Sequence, residues 1–183
     1  MSKLKPEHQD IVDRQLDKLV FQLNPHFKKM GFAPNGITTL SLIFGILAVY
    51  FLHISKAYLA GVCWFISYFF DCQDGNFART YKMYSKFGDL YDHISDAVIL
   101  FSLAYVFYKK PMKINTKMAI LSFMLVTGSL CWMYYCKQEE YYNILKNDPE
   151  HIDKVDMSSM RYLRFFGPGC MALFITIIIM TCG

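Results

Sequence analysis

The stretch Asp71–Asp96, DCQDGNFARTYKMYSKFGDLYDHISD, decides how the chain is read. It follows an apolar run, Gly61–Phe70, and leads into another, Ala97–Tyr108. Ionisable groups this close to membrane-grade apolar sequence are costly unless they bind something or face water. On a helix, Asp71, Asp74, Gly75 and Ala78 share one face, because helix neighbours recur at three, four and seven residues. Asp92 and Asp96 share a face of the next helix, and Gly88 lies one turn before Asp92 on that stripe. Two helices can thus aim four carboxylates at one point, with glycines leaving room for a ligand.

Four ionised carboxylates in a low-dielectric site repel strongly. Two Mg²⁺ cancel that charge, and carboxylate oxygen is the ligand Mg²⁺ prefers. Mg²⁺ held by few protein ligands usually also takes phosphate oxygens. The residues by themselves point to a membrane-embedded, metal-dependent site for a diphosphate. The blander reading is a pair of acidic helix ends held in salt bridges. It loses because an unpaired buried carboxylate costs several kcal/mol. Gly75 lets a ligand approach the backbone closely. Arg79 is suited to bidentate contact with phosphate; its ordinary role would be a salt bridge to one of the aspartates.

The stretch resembles the CDP-alcohol phosphotransferase family (the class-I CDP-alcohol phosphatidyltransferases), whose pattern is D-x2-D-G-x2-A-R-x8-G-x3-D-x3-D. Asp71, Asp74, Gly75, Ala78, Arg79, Gly88, Asp92 and Asp96 fill every fixed position at the right spacing. A match of that length is far more specific than a lone short motif. The resemblance implies transfer of a substituted phosphoryl group from a CDP-alcohol to an acceptor hydroxyl, with release of CMP. It implies two Mg²⁺ ions, or Mn²⁺ in their place, on Asp71, Asp74 and Asp92, with Asp96 sharing one. Asp96 is then also the base that takes the acceptor proton. Gly75, Ala78, Arg79 and Gly88 would meet the CDP donor. The resemblance adds Asn35 and Thr38 at the nucleotide end and Ser85 in the loop beside the donor. By residue type alone, Asn35 and Thr38 are helix-start residues and Ser85 is a turn serine. The family also commonly forms homodimers through its membrane helices.

The rest of the chain agrees with a membrane setting. Its 183 residues suit a single domain, 1–183. Hydrophobic content of 54% and aromatic content of 17% exceed what a soluble domain of this size needs. The formal charge of +4 suits contact with anionic lipid and gives no argument for nucleic acid. None of the six cysteines forms a CxxC pair or a Cys/His cluster, so zinc is not expected. The polar opening MSKLKPEHQD predicts no cleavable signal peptide.

The chain is expected to be all-α and to cross the membrane about five times. Residues 6–30 form an amphipathic helix on apolar Ile11, Leu16, Leu19, Val20 and Leu23, either packed on the protein or lying in the interface. Spans are expected at about 37–54, 57–80, 88–108, 118–136 and 161–182. The last is interrupted by Gly167-Pro168-Gly169. Five is one fewer than the six usual in the family, so the sixth is either dispensable or supplied by a partner. Arg161 and Arg164, at i and i+3, read first as snorkelling anchors and second as a site for an acceptor phosphate.

A cytosolic active site places Arg79, Lys82, Lys86, Arg161 and Arg164 inside, but leaves Lys109, Lys110, Lys113 and Lys117 outside. The cytosolic orientation is kept because CDP donors and CMP are cytosolic. The membrane would be the endoplasmic reticulum or a bacterial inner membrane, depending on the source. The leading function is a phospholipid-synthesis enzyme using CDP-diacylglycerol. Its alternatives are a CDP-choline/ethanolamine-type phosphotransferase acting on diacylglycerol, an intramembrane prenyltransferase, and an Asp-lined divalent-cation transporter. The acceptor alcohol is not legible.

Overall fold

A computed structural model describes residues 4, 7–147 and 156–182. The described residues are all-helical: α1 (Ile11–Lys29), α2 (Pro34–His53), α3 (Ala57–Tyr81), α4 (Lys86–Lys109), α5 (Ile114–Asn147), α6 (Met160–Leu163) and α7 (Pro168–Cys182). Pro6, at the expected start of the amphipathic helix, lies outside the described residues.

Local signals explain the boundaries. Asp10 caps α1, its carboxylate accepting from Val12 N and Asp13 N at 2.7 and 3.0 Å. Pro34 sits in the first turn of α2, where a missing N–H costs nothing. Lys82 closes α3 in the left-handed conformation, φ 55°. Ser85 caps α4 by accepting from Gly88 N at 2.9 Å.

α3 is the central element, packed against α1, α2 and α7. Ser41 and Ser67 lock α2 to α3 by donating to each other's backbone carbonyl at 2.9 and 2.8 Å. Trp64 Nε1 donates to the Ala172 carbonyl at 3.0 Å and ties α3 to α7. Small residues permit this closeness. A Cβ on Gly45 would collide with Ile99 of α4, and one on Gly61 with Met180 of α7. A tight apolar cluster of Leu52, Ala60, Ile99, Leu103 and Ile179 closes the end remote from the motif.

Among the described residues, four stretches are long and apolar enough to cross a membrane: Pro34–His53, Lys86–Lys109, Ile114–Asn147 and Met160–Cys182. α3 has the length, 25 residues, but the motif's charges lower its hydropathy. One detail differs from the sequence reading. α5 runs on to Asn147 instead of stopping near residue 136, because Lys137–Asn147 contains no glycine or proline to end it. The last span breaks into α6 and α7 with Pro168 opening the second piece, at the interruption expected from Gly167-Pro168-Gly169. In α1 the face turned to the protein mixes apolar Leu16, Val20, Leu23 and Phe27 with polar Asp13, Asp17 and Asn24. Val20 and Asn24 are its buried residues, while Ile11, Leu19 and Phe21 are exposed.

Candidate active site

Six of the eight motif residues meet in a cavity of about 670 Å³ between α1, α2, α3, α4, α5 and α7. α3 contributes Asp71, Asp74, Gly75 and Arg79, and α4 contributes Asp92 and Asp96. Carboxylate oxygens of Asp71, Asp74 and Asp92 lie within 4.8 Å of one another. This set of hard oxygen donors suits a divalent cation such as Mg²⁺. Asp96, one turn further along α4, lines the same cavity outside that trio.

The surroundings fix these groups. Thr38 Oγ1 donates to Asp74 Oδ2 at 2.5 Å, so α2 holds the carboxylate in place. Arg79 lies back along its own helix over Gly75, where a Cβ would approach its Nη1 to 3.4 Å. Its Nε is buried with no hydrogen-bond partner among the described residues. Nor does any ion pair join Arg79 to an aspartate among them. A buried guanidinium donor left open in an acidic cavity is a ready partner for a phosphate oxygen.

Asn35, Ser85 and Gly88 gather at a neighbouring edge, where a Cβ on Gly88 would meet Asn35 Oδ1 at 2.7 Å and Ser85 Oγ at 2.9 Å. They do not line the cavity itself, and neither does Ala78. Arg161 is exposed. Arg164 donates to the Glu7 carbonyl at 3.0 Å, with its guanidinium over the Phe165 ring. The structure does not bring this arginine pair to the aspartates. His93 stays on the outside of α4, its Nδ1 2.7 Å from the Asp89 carbonyl.

Sequence reasoning missed the α1 wall. Asp13 and Asp17 line the cavity, as do Tyr68 of α3 and Tyr135 and Gln138 of α5. Tyr68 donates to Asp13 Oδ1 at 2.5 Å. Burial and the neighbouring carboxylates of Asp10 and Asp17 push the Asp13 carboxyl up to about 7, against the Tyr68 hydrogen bond, which lowers it. Deeper in the α1–α3 contact, Gln73 Nε2 donates to Asn24 Oδ1 at 2.6 Å, and Asn24 Nδ2 donates to Asn76 Oδ1 at 2.8 Å. The available signal was a matched pair of polar stripes: Asp10, Asp13, Asp17 and Asn24 on α1, and Gln73, Asn76 and Thr80 on α3.

The family model described as CDP-alcohol phosphatidyltransferase matches residues 32–180. Archaetidylinositol phosphate synthase of Pyrococcus horikoshii is 30% identical over 108 residues, covering 57% of this chain and 53% of that protein. The chain thus spans about half the length of the curated relative it matches. No solved structure matches it.

Proposed function

The chain belongs to the CDP-alcohol phosphatidyltransferase family, and on that premise we propose that it is an integral membrane enzyme of phospholipid synthesis. It transfers a phosphatidyl or other substituted phosphoryl group from a CDP-alcohol, in the first place CDP-diacylglycerol, to an acceptor hydroxyl and releases CMP. The observation that carries this reading is the convergence of Asp71, Asp74 and Asp92 within 4.8 Å in a cavity shared with Asp96 and Arg79.

Each side chain then has a task. Asp71, Asp74 and Asp92 would hold two Mg²⁺ ions, with Asp96 sharing one and Mn²⁺ able to substitute. When bound, the ions supply charge neutralisation and Lewis-acid polarisation of the diphosphate. Thr38 keeps Asp74 oriented. Arg79 offers its unpartnered Nε to a phosphate oxygen. Gly75 leaves its flank of α3 open, and Asn35, Ser85 and Gly88 receive the nucleotide end from their edge. Asp96 accepts the proton of the acceptor hydroxyl. The acceptor oxygen bonds to phosphorus, and the bond from that phosphorus to the CMP oxygen breaks. The whole chain, 1–183, acts as one membrane domain with this site toward the cytosol, in a homodimer.

The test is CMP release from CDP-diacylglycerol with a panel of acceptor alcohols, the lipid products being read by mass spectrometry. Expected are a strict requirement for Mg²⁺ or Mn²⁺ and loss of turnover in Asp71→Asn and Asp74→Asn. Full activity in EDTA without added metal overturns the two-ion site. Divalent-ion flux without CMP release turns the assignment toward a transporter.

A further inference from the structure

α3 and α4 carry the motif aspartates; α1 and α5 form a different part of the same cavity wall. Asp13, Asp17, Asp71, Asp74, Asp92 and Asp96 are the acidic side chains lining it, and Arg79 is the single basic one among the described residues. Bound divalent ions would offset the four motif carboxylates, and a donor diphosphate would engage both the ions and Arg79. Asp13 and Asp17 are then left without a counter-charge, in a space to which the donor adds further negative charge. A carboxylate taken out of water needs a cation or a set of hydrogen bonds in return.

These two carboxylates are held in place by neutral groups, which orient them without cancelling their charge. Asp17 accepts from Gln9 Nε2 at 2.6 Å on one oxygen and from Asn76 Nδ2 at 3.3 Å on the other. Asp13 accepts from Tyr68, which lies one helical turn before Asp71 on α3. Burial, and after it the charges of Asp10 and Asp17, push the Asp13 carboxyl up to about 7, a repulsion that a bound cation relieves. Aromatic Tyr68, Trp132 and Tyr135 line the same cavity, and aromatic faces attract organic cations. The Gln138 amide, one turn beyond Tyr135 on α5, lines it without a hydrogen-bond partner among the described residues. The Tyr135 hydroxyl feels the charges of both Asp13 and Asp71, so this wall adjoins the metal-ligating trio. A phosphate would find no cation here: Arg161 is exposed, and Arg164 is engaged by the Glu7 carbonyl.

We propose that the α1–α5 wall is the acceptor subsite and that it selects an unphosphorylated alcohol carrying an ammonium group, with Asp13 and Asp17 as its specificity-determining residues. The inference rests on the transferase reading above. The ammonium sits against the two carboxylates, while the hydroxyl a few bonds away gives its proton to Asp96. The hydroxyl oxygen bonds to phosphorus and CMP leaves. Two carboxylates beside the nitrogen keep it protonated, so the oxygen is the nucleophile.

The experiment uses the full chain in nanodiscs containing CDP-diacylglycerol and Mg²⁺, with ethanolamine, serine, glycerol, inositol and glycerol 3-phosphate as acceptors. The ammonium-bearing alcohols are expected to exceed the others in kcat/KM by about tenfold or more. Asp13→Asn, which keeps an oxygen for Tyr68, is expected to raise KM for ethanolamine about tenfold and to leave KM for the donor within about twofold. Gln138→Arg, which brings a guanidinium to the wall, is expected to remove the preference for ammonium. Wild-type preference for glycerol, inositol or glycerol 3-phosphate overturns the inference and leaves the transferase reading standing. So does an Asp13→Asn effect as large on the donor as on ethanolamine, the mark of a merely structural role.

A readout independent of turnover is saturation-transfer NMR of ethanolamine with the same nanodiscs lacking the donor. Binding by wild type that is lost in Asp13→Asn supports the subsite, even if no acceptor yields CMP and the transferase reading itself falls. Binding that survives both Asp13→Asn and Asp17→Asn, or no binding to wild type, overturns it.

Discussion

At the scale of single residues, Asp92 and Asp96 share a helix face yet occupy different surroundings. Asp92 stands with Asp71 and Asp74, whereas Asp96 lines the cavity beyond them. That separation assigns them different tasks. Asp96→Asn keeps size and one oxygen but removes basicity and a charge. It should lower kcat by roughly 10²–10⁴-fold, the usual worth of general-base catalysis, while donor affinity changes far less. Asp92→Asn should instead weaken metal-dependent donor binding. Donor titration beside single-turnover CMP release separates the two. Equal affinity losses, with near-normal turnover for Asp96→Asn at saturating Mg²⁺, would reduce Asp96 to a plain ligand. The aspartates were legible in the sequence because fixed spacing on a helix fixes a shared face. Asp13 and Asp17 were not, since an acidic stripe on an amphipathic helix reads alike whether it faces water or a polar cavity.

At the scale of elements, the joint between α1 and α7 is built on Asp10. One carboxylate oxygen caps α1 and the other accepts from Cys170 N, in the first turn of α7, at 3.0 Å. The Asp10 backbone N–H donates to the Tyr134 hydroxyl at 3.0 Å and draws in α5. Gly167 and Gly169 leave the space this carboxylate occupies. A Cβ on Gly169 would stand 2.8 Å from both Asp10 Oδ1 and the Asp13 backbone nitrogen, which cannot give way as a side-chain tip can. Gly169→Ala should therefore destabilise by about 1–3 kcal/mol, the usual cost of overpacking, or roughly 2–12 °C in Tm for a chain of this size. Thermal unfolding in detergent checks it, and a Tm within a degree of wild type would refute the close approach. The Gly167-Pro168-Gly169 break was visible in the sequence, but its purpose was not. It makes room for a residue more than 150 positions earlier, and local chemistry carries no trace of that partner.

At the scale of the whole molecule, the question is whether α3 crosses the membrane although its hydropathy falls short. We propose from its partners that it does. Only three residues separate α2 from α3, and the serine pair and long packing contact hold the two side by side. If α2 crosses, α3 must return, and its 25 residues rise about 38 Å, enough for the hydrocarbon core. Its charges face the cavity, so lipid does not meet them. Lys110 Nζ donates to Ser55 Oγ at 3.2 Å, which puts the α2–α3 and α4–α5 turns on the same far side. The motif side carries Arg14, Lys18, Lys28, Lys29, Arg79, Lys82, Lys86, Arg161 and Arg164, against Lys56, Lys109, Lys110, Lys113 and Lys117 on the far side. On that imbalance we propose that the motif side faces the cytosol. On this proposal, five crossings put α1 in the cytosolic interface and the end of α7 on the opposite face. In a cysteine-free background, single cysteines replacing exposed Glu7 and Thr181 should react with an impermeant maleimide from opposite sides of sealed vesicles. Reaction of both from the same side would mean an even number of crossings, and α3 would then have to be a re-entrant helix.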